Sequence, residues 1–187
     1  MESKNSGTLI ILSGPSGVGK GTIIKKLLKK LDNIVLSISA TTRLPRRGEK
    51  NGIHYYFISR DKFIDMIKTN GFLEYAEYNS NYYGTPKDSV NNFLREGKNV
   101  ILEIDVQGAF KIKNKYKNAL MIFVMPPCVE DLYKRLRNRN TESGKEIEER
   151  VIRAQREIEL SEKYDYVIIN DSLSKAAEEI KKIISKN

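Results

Sequence analysis

Cysteine and histidine each occur once, as Cys128 and His54, in a chain of 187 residues. A single cysteine excludes an intramolecular disulfide, and a single histidine disfavours a Cys/His metal centre or a Ser-His triad. Long apolar runs are also missing. The longest, Ala119 to Met125, falls far short of the roughly 20 residues that a membrane helix needs. Near the N-terminus, Leu9-Ile10-Ile11-Leu12 is shorter than the apolar stretch of a secretory signal, so a cytoplasmic protein is expected. Its chemistry has to come from charged side chains, hydroxyls and backbone amides.

Hydrophobic residues make up 40% of the sequence, which at this length fits one domain with inserted lobes better than two independent domains. The formal charge of +9 points to polyanionic partners, either nucleic acid or small phosphorylated ligands. Lys25, Lys26, Lys29 and Lys30, however, alternate with Ile23, Ile24, Leu27 and Leu28, the pattern of a solvated helix face opposite a core stripe.

Along the chain, short β-branched runs alternate with longer segments of helical period, the βαβα signature of an α/β fold with a parallel sheet flanked by helices. Core strands are expected near Thr8 to Leu12, Ile34 to Ser39, Asn99 to Ile104, Ala119 to Met125 and Asp165 to Ile169. Helices are expected near Gly19 to Leu31, Pro86 to Glu96, Val106 to Tyr116, Val129 to Arg139, Lys145 to Lys163 and Leu173 to Ser185. The segment Thr41 to Tyr83 breaks this rhythm with Tyr55-Tyr56-Phe57-Ile58, a short helix near Arg60 to Thr69, and the strand-like Phe72 to Tyr78, as an inserted α/β lobe would. A polar stretch, Asn138 to Gly144, separates two charged helices and suits a mobile connection.

Ser13-Gly14-Pro15-Ser16-Gly17-Val18-Gly19-Lys20-Gly21-Thr22 follows an apolar strand and opens an amphipathic helix, the context of a Walker A phosphate loop. Its glycines allow backbone N–H groups to turn inward around an anion, the helix N-terminus adds partial positive charge, and Lys20 reaches the β- and γ-phosphates. Residues Gly14 to Thr22 are therefore the candidate nucleotide cradle. Gly21 stands where a Ser or Thr normally offers a hydroxyl to Mg²⁺. Whether Thr22, one residue on, substitutes is left open by the sequence.

A second signal runs from Ser39 to Phe57 and contains Thr41-Thr42-Arg43-Leu44-Pro45-Arg46-Arg47-Gly48-Glu49, Gly52, Tyr55 and Phe57. It resembles the GMP-binding segment of guanylate kinases, and the resemblance continues through Phe72-Leu73-Glu74, Asn81 to Thr85, Glu103 to Gly108, Pro126-Pro127, Arg135 to Thr141 and Val167 to Asp171, essentially the whole chain. It implies a P-loop kinase core at about 1–38, 89–128 and 157–187, a GMP-binding lobe at about 39–88 and a mobile lid at about 129–156. It also implies a clamp on the GMP phosphate by Arg43, Arg46, Tyr55 and Tyr83, and guanine recognition by Ser39, Glu74, Thr85 and Asp105. Arg135, Arg139 and Arg150 match basic lid positions, and Asn170 a position near adenine. The implied reaction is ATP + GMP = ADP + GDP, with Lys20, Arg43, Arg139 and Arg150 as catalytic groups and Mg²⁺ as the metal partner of ATP. Neither membrane nor specific nucleic acid is expected as a partner.

Two of these positions carry a second reading from the residues themselves. Thr85-Pro86-Lys87-Asp88 is also a good helix start, with a cap, a proline and an acid. Glu103 and Asp105 both follow an apolar strand, so either could act on Mg²⁺ as a Walker B carboxylate. A non-catalytic guanylate-kinase-like binding module and a basic nucleic-acid-binding protein are the rival classes. The intact Lys20 and loop glycines disfavour the first, and the lack of any recognised binding module disfavours the second.

Overall fold

The computed structural model describes residues 6–137 and 144–186. In chain order the elements are β1 (Leu9–Ser13), α1 (Lys20–Leu28), β2 (Ile34–Leu36), β3 (Ala40–Thr41), β4 (Tyr56–Phe57), α2 (Arg60–Lys68), β5 (Phe72–Tyr78), β6 (Asn81–Pro86), α3 (Lys87–Arg95), β7 (Asn99–Glu103), α4 (Val106–Lys115), β8 (Leu120–Met125), α5 (Val129–Arg137), α6 (Gly144–Glu159), β9 (Tyr166–Ile169) and α7 (Leu173–Ile184), with a 3-10 turn at Ser161–Lys163. Five strands form one sheet in the order β2-β7-β1-β8-β9, and all its pairings are parallel. Parallel neighbours need crossovers, which the helices supply. The central strand, β1, is buried throughout. Ile10 and Leu12 pack with Ile23 and Leu27 of α1 and Ile180 of α7, whereas Leu9 and Ile11 pack on the opposite face with Val90 of α3 and Ile112 of α4. Burial on both faces is why the strand reads as a continuous apolar run.

After Leu36 the chain leaves this sheet. Ser37 N–H still reaches the carbonyl of Ile101, and the chain then enters a second sheet of order β4-β3-β6-β5. Here β3 runs parallel to β4 and antiparallel to β6, which forms a hairpin with β5. Asn79 and Ser80, with φ of 47° and 60°, make its turn in the left-handed conformation that two-residue hairpin turns use. Phe63 of α2 is fully buried against this sheet, stacked on Phe72 and Tyr82 with ring centroids 4.3 and 5.3 Å away. The packing anchors the hairpin whose inner end carries Glu74 and Thr85.

Several elements differ from the sequence expectation. The strand expected to run to Ser39 ends at Leu36, where the chain crosses to the second sheet. The helix expected from Lys145 to Lys163 ends at Glu159, and the 3-10 turn that follows delivers the Tyr164 ring against Phe123, 5.1 Å between centroids. Thr85 is not a helix cap. It belongs to β6, Pro86 flanks α3, and the Thr85 hydroxyl donates to Glu74. Leu132, Ile147 and Ala154 join α5 to α6 in a small core of their own. The expected connection at Asn138 to Gly144 lies, except for Gly144, outside the described residues, and so does Arg139.

Candidate active site

An open cleft of about 570 Å³ is lined by the loop after β1, by residues following β2 and β7, by the second sheet, and by α6. The loop is built around glycines in conformations that other residues rarely adopt: φ is 145° at Gly14 and 102° at Gly19. A β-carbon on Gly14 would lie 2.2 Å from the Val124 carbonyl oxygen, so the strand exit also has no space for one. No side chain caps α1, which leaves its first turn to an anion. Lys20 Nζ donates to the carbonyl oxygens of Gly14 at 2.6 Å and Pro15 at 3.1 Å, which holds the ammonium over the loop. Asn170, 1% exposed, donates from Nδ2 to the Val18 carbonyl at 2.7 Å and so supports the loop from behind. Ser16 and Thr22 are exposed.

The two carboxylates after β7 diverge. A β-carbon on Gly21 would lie 3.8 Å from Glu103 Oε2, so Glu103 is the one beside the loop. It opens onto the cleft but is walled by protein elsewhere: this burial pushes its carboxyl above the usual range, and the charge of Lys20 opposes the shift. Asp105 turns toward α4, where Oδ1 accepts the Gly108 N–H at 2.8 Å and caps the helix.

Arg43, Tyr55 and Tyr83 converge on the second sheet. The Arg43 guanidinium grips both oxygens of Glu49, at 2.9 and 3.0 Å, and Glu49 Oε2 also accepts the Arg46 backbone N–H at 2.6 Å. The bond to Arg43 holds the Glu49 carboxyl below the usual range. Arg43 lies 5.5 Å from the Tyr55 ring centroid, and the Tyr55 and Tyr83 rings meet edge to face at 6.0 Å. Burial pushes the Tyr55 hydroxyl up, with the charge of Glu103 adding to the effect. Arg46, on an exposed loop, joins this group through its backbone N–H and the pull of its charge on Glu49.

At the far end of the cleft, Thr85 Oγ1 donates to Glu74 Oε1 at 2.8 Å. Burial raises the Glu74 carboxyl above its usual range, against the pull of that hydrogen bond. Ser39, Glu74 and Asp105 all line the cleft, and Thr85 stands behind Glu74, itself buried. Above them α6 reaches in. Arg150 bonds the Ser16 hydroxyl. Arg153 pairs with Asp105 at 3.3 Å and Glu157 at 3.0 Å, and lies 5.3 Å from the centroid of the Tyr78 ring. Arg135 lies on α5.

Arg153 and Glu157 line the cleft and Glu49 holds Arg43, and sequence reasoning gave none of the three a role. Glu49 stands inside the quoted segment, where its spacing from Arg43 was the available signal. Arg153 and Glu157 are an i, i+4 pair like many on solvated helices, and nothing in the sequence singles them out.

The guanylate kinase family model matches residues 6–187. A guanylate kinase of Prochlorococcus marinus (strain MIT 9312) is 50% identical over 181 residues, covering 97% of this chain and 98% of that protein. One from Desulfitobacterium hafniense (strain Y51) is 46% identical, over 97% of this chain and 90% of that protein. Among solved structures, guanylate kinase from Anaplasma phagocytophilum superposes with a TM-score of 0.80 at 36% identity, covering 98% of this chain and 87% of that one. Shikimate kinase from Bacteroides thetaiotaomicron superposes with a TM-score of 0.53 at 15% identity, over 95% of this chain and 98% of that one, a likeness of fold alone.

Proposed function

The chain belongs to the guanylate kinase family, and on that premise we propose how its residues transfer the γ-phosphoryl group of ATP to GMP, giving ADP and GDP. The observation that carries the assignment is a phosphate loop that shares one cleft with Tyr55 and Tyr83, which Arg43 stands beside, and with Glu74, whose Oε1 is held by Thr85. Gly14 to Thr22 hold the phosphates of ATP. Lys20 exchanges its loop carbonyls for phosphate oxygens. Asn170 keeps the loop in shape near the adenine. Arg43, Arg46, Tyr55 and Tyr83 take the GMP phosphate, with Glu49 fixing the Arg43 fork, since a guanidinium binds phosphate oxygens in pairs. Ser39, Glu74 and Asp105 take the base, and Thr85, expected from the sequence to touch guanine itself, acts through Glu74, which it holds from behind.

The nucleophile is a GMP phosphate oxygen, already deprotonated near neutral pH, so no strong general base is required. Catalysis comes from holding two mutually repelling phosphates in line and neutralising them with Lys20, Arg43, Arg139 and Arg150, while Arg135 adds to the lid. The residues also fit Mg²⁺: Glu103 places a carboxylate beside the loop where Gly21 offers no hydroxyl, and oxygen is the donor a hard cation takes. When bound, the ion neutralises charge on the transferring phosphates. Movement of a lobe at 39–88 and a lid at 129–156 against the core would exclude water that otherwise hydrolyses ATP. The cytoplasm, where both nucleotides are at hand, is the expected place of action.

Coupled measurement of ADP release, with GMP and AMP as alternative acceptors, tests this. Turnover with GMP alone is expected. Lys20→Ala should abolish most of it while calorimetry shows GMP binding nearly unchanged. ADP release that ignores GMP, or normal turnover in the variant, would overturn the assignment.

A further inference from the structure

We infer that Gly108 sets the guanine selectivity of the cleft by leaving room for the Glu74 carboxylate, an inference that rests on the assignment of Glu74 to the guanine edge. Gly108 lies near the start of α4 and is buried. Glycine is a poor choice there, because it favours the helix less than any residue except proline. Its backbone does not need glycine, since it is absent from the positions with positive φ. Space is what needs it. A β-carbon on Gly108 would lie 3.0 Å from Glu74 Oε2, 3.4 Å from Glu74 Cδ and 3.4 Å from Asp105 Oδ1. One methyl group would press on the Glu74 carboxylate and touch that of Asp105, the two proposed to read the base.

Neither carboxylate is free to retreat. Glu74 Oε1 is held by the Thr85 hydroxyl at 2.8 Å, and Thr85 is buried. The backbone beside it is pinned as well, since Leu73 is buried and its carbonyl accepts from Lys115 Nζ at 2.9 Å. Asp105 Oδ1 is bonded to the N–H of Gly108 itself. The open direction is the cleft, so a methyl group displaces Glu74 toward the base by a few tenths of an ångström. Recognition groups have to be held to within about 0.5 Å, so a shift of this size uses up much of that tolerance and weakens the charge-assisted hydrogen bonds to the base. The absence of a side chain at Gly108 is therefore part of the specificity device.

The test is Gly108→Ala, alone and combined with Glu74→Gln, measured by kcat/KM for GMP and AMP, KM for ATP and thermal melting. The expected result is a fall of about tenfold or more in kcat/KM for GMP, carried by KM, with a narrowed GMP-to-AMP ratio and unchanged KM for ATP. Melting temperature should hold or rise, because alanine favours the helix. In the double variant Gly108→Ala should add little to Glu74→Gln, since both act on the same contact. Normal kinetics in Glu74→Gln would sink the assignment of Glu74 itself. An impaired Glu74→Gln beside a wild-type Gly108→Ala would sink the role of Gly108 alone. Additive losses, or a variant that melts early or fails to fold, would also overturn it, because the methyl group would then be acting on the fold rather than through Glu74.

Discussion

Thr85 gives its hydroxyl to Glu74 instead of to a helix end, and that single bond decides what Glu74 can do. With Oε1 occupied by Thr85 and Oε2 without a hydrogen-bond partner among the described residues, the carboxylate has an oxygen to offer guanine. Guanine presents N1–H and N2–H as adjacent donors, whereas adenine presents a lone pair at N1 and no 2-amino group. Hydrogen bonds to a charged group contribute roughly 1.5–3 kcal/mol each, so Glu74→Gln should lower kcat/KM for GMP by about 100-fold or more with little change for ATP. Burial raises the Glu74 carboxyl, so its charge is a cost to the fold at neutral pH. The stability tied to its protonated form is present below the unfolded value and lost as pH rises through the folded one. Differential scanning at pH 7 should therefore find Glu74→Gln as stable as wild type or more so. Glu49 runs the other way. Its carboxyl is held low by Arg43, so the stability it contributes is complete above the ordinary glutamate value of about 4.3 and lost as pH falls below it. Urea melts of Glu49→Gln against wild type should show a gap that is constant near neutrality and closes in acid. KM for GMP should rise several-fold as Arg43 loses its anchor. A gap that widens in acid would contradict the pairing.

Elements with one dominant signal could be read from the sequence. β1 and α1 could, because an apolar run buried on both faces leads straight into the glycine loop. β5 matches its expected span from Phe72 to Tyr78. β6 could not: Asn81-Tyr82-Tyr83-Gly84-Thr85-Pro86 has the glycine and proline of a turn, and it is a strand only because β3 and β5 flank it. The two-residue strands β3 and β4 exist only as pairings and have no period to detect. Candidate site residues became visible only in the company of their motif, and Arg153 had none. Its arm from α6 joins the core at Asp105 to the hairpin at Tyr78. Exposed ion pairs and cation–π contacts contribute up to about 1 kcal/mol each, so Arg153→Ala should raise KM for GMP by roughly fivefold and leave kcat nearly intact. Lysine at this position keeps the charge without the fork and should recover part of the loss. Steady-state kinetics that leave KM for GMP unmoved would show that the arm carries no binding energy.

Thirty-three basic residues against 24 acidic ones give the chain its surplus of +9, and where the two signs sit decides what the surplus does. Acids gather in the cleft: Glu74, Glu103, Asp105 and Glu157 all line it. On α1 and just after it, by contrast, Lys25, Lys29 and Lys30 are exposed, with Lys30 tied to Glu178 of α7 at 2.7 Å. Such lysines cover a solvated face and do not line the cleft. The surplus field draws any polyanion toward the molecule, while the acids inside the cleft offer acceptors to a donor edge such as that of guanine. Two consequences differ in sign from those of a nucleic-acid-binding protein. DNA or RNA should bind weakly and without sequence preference, and the binding should fade between about 50 and 200 mM salt as counterions compete. GMP turnover should persist across that range, with KM for GMP rising only modestly, because the proposed clamp and base contacts are short-range and partly buried. Fluorescence anisotropy with labelled duplexes, run beside the coupled assay at the same salt concentrations, separates the two. Sequence-selective binding that survives physiological salt, with no GMP-dependent ADP release, would move the charge from a by-product of phosphate handling to the purpose of the fold.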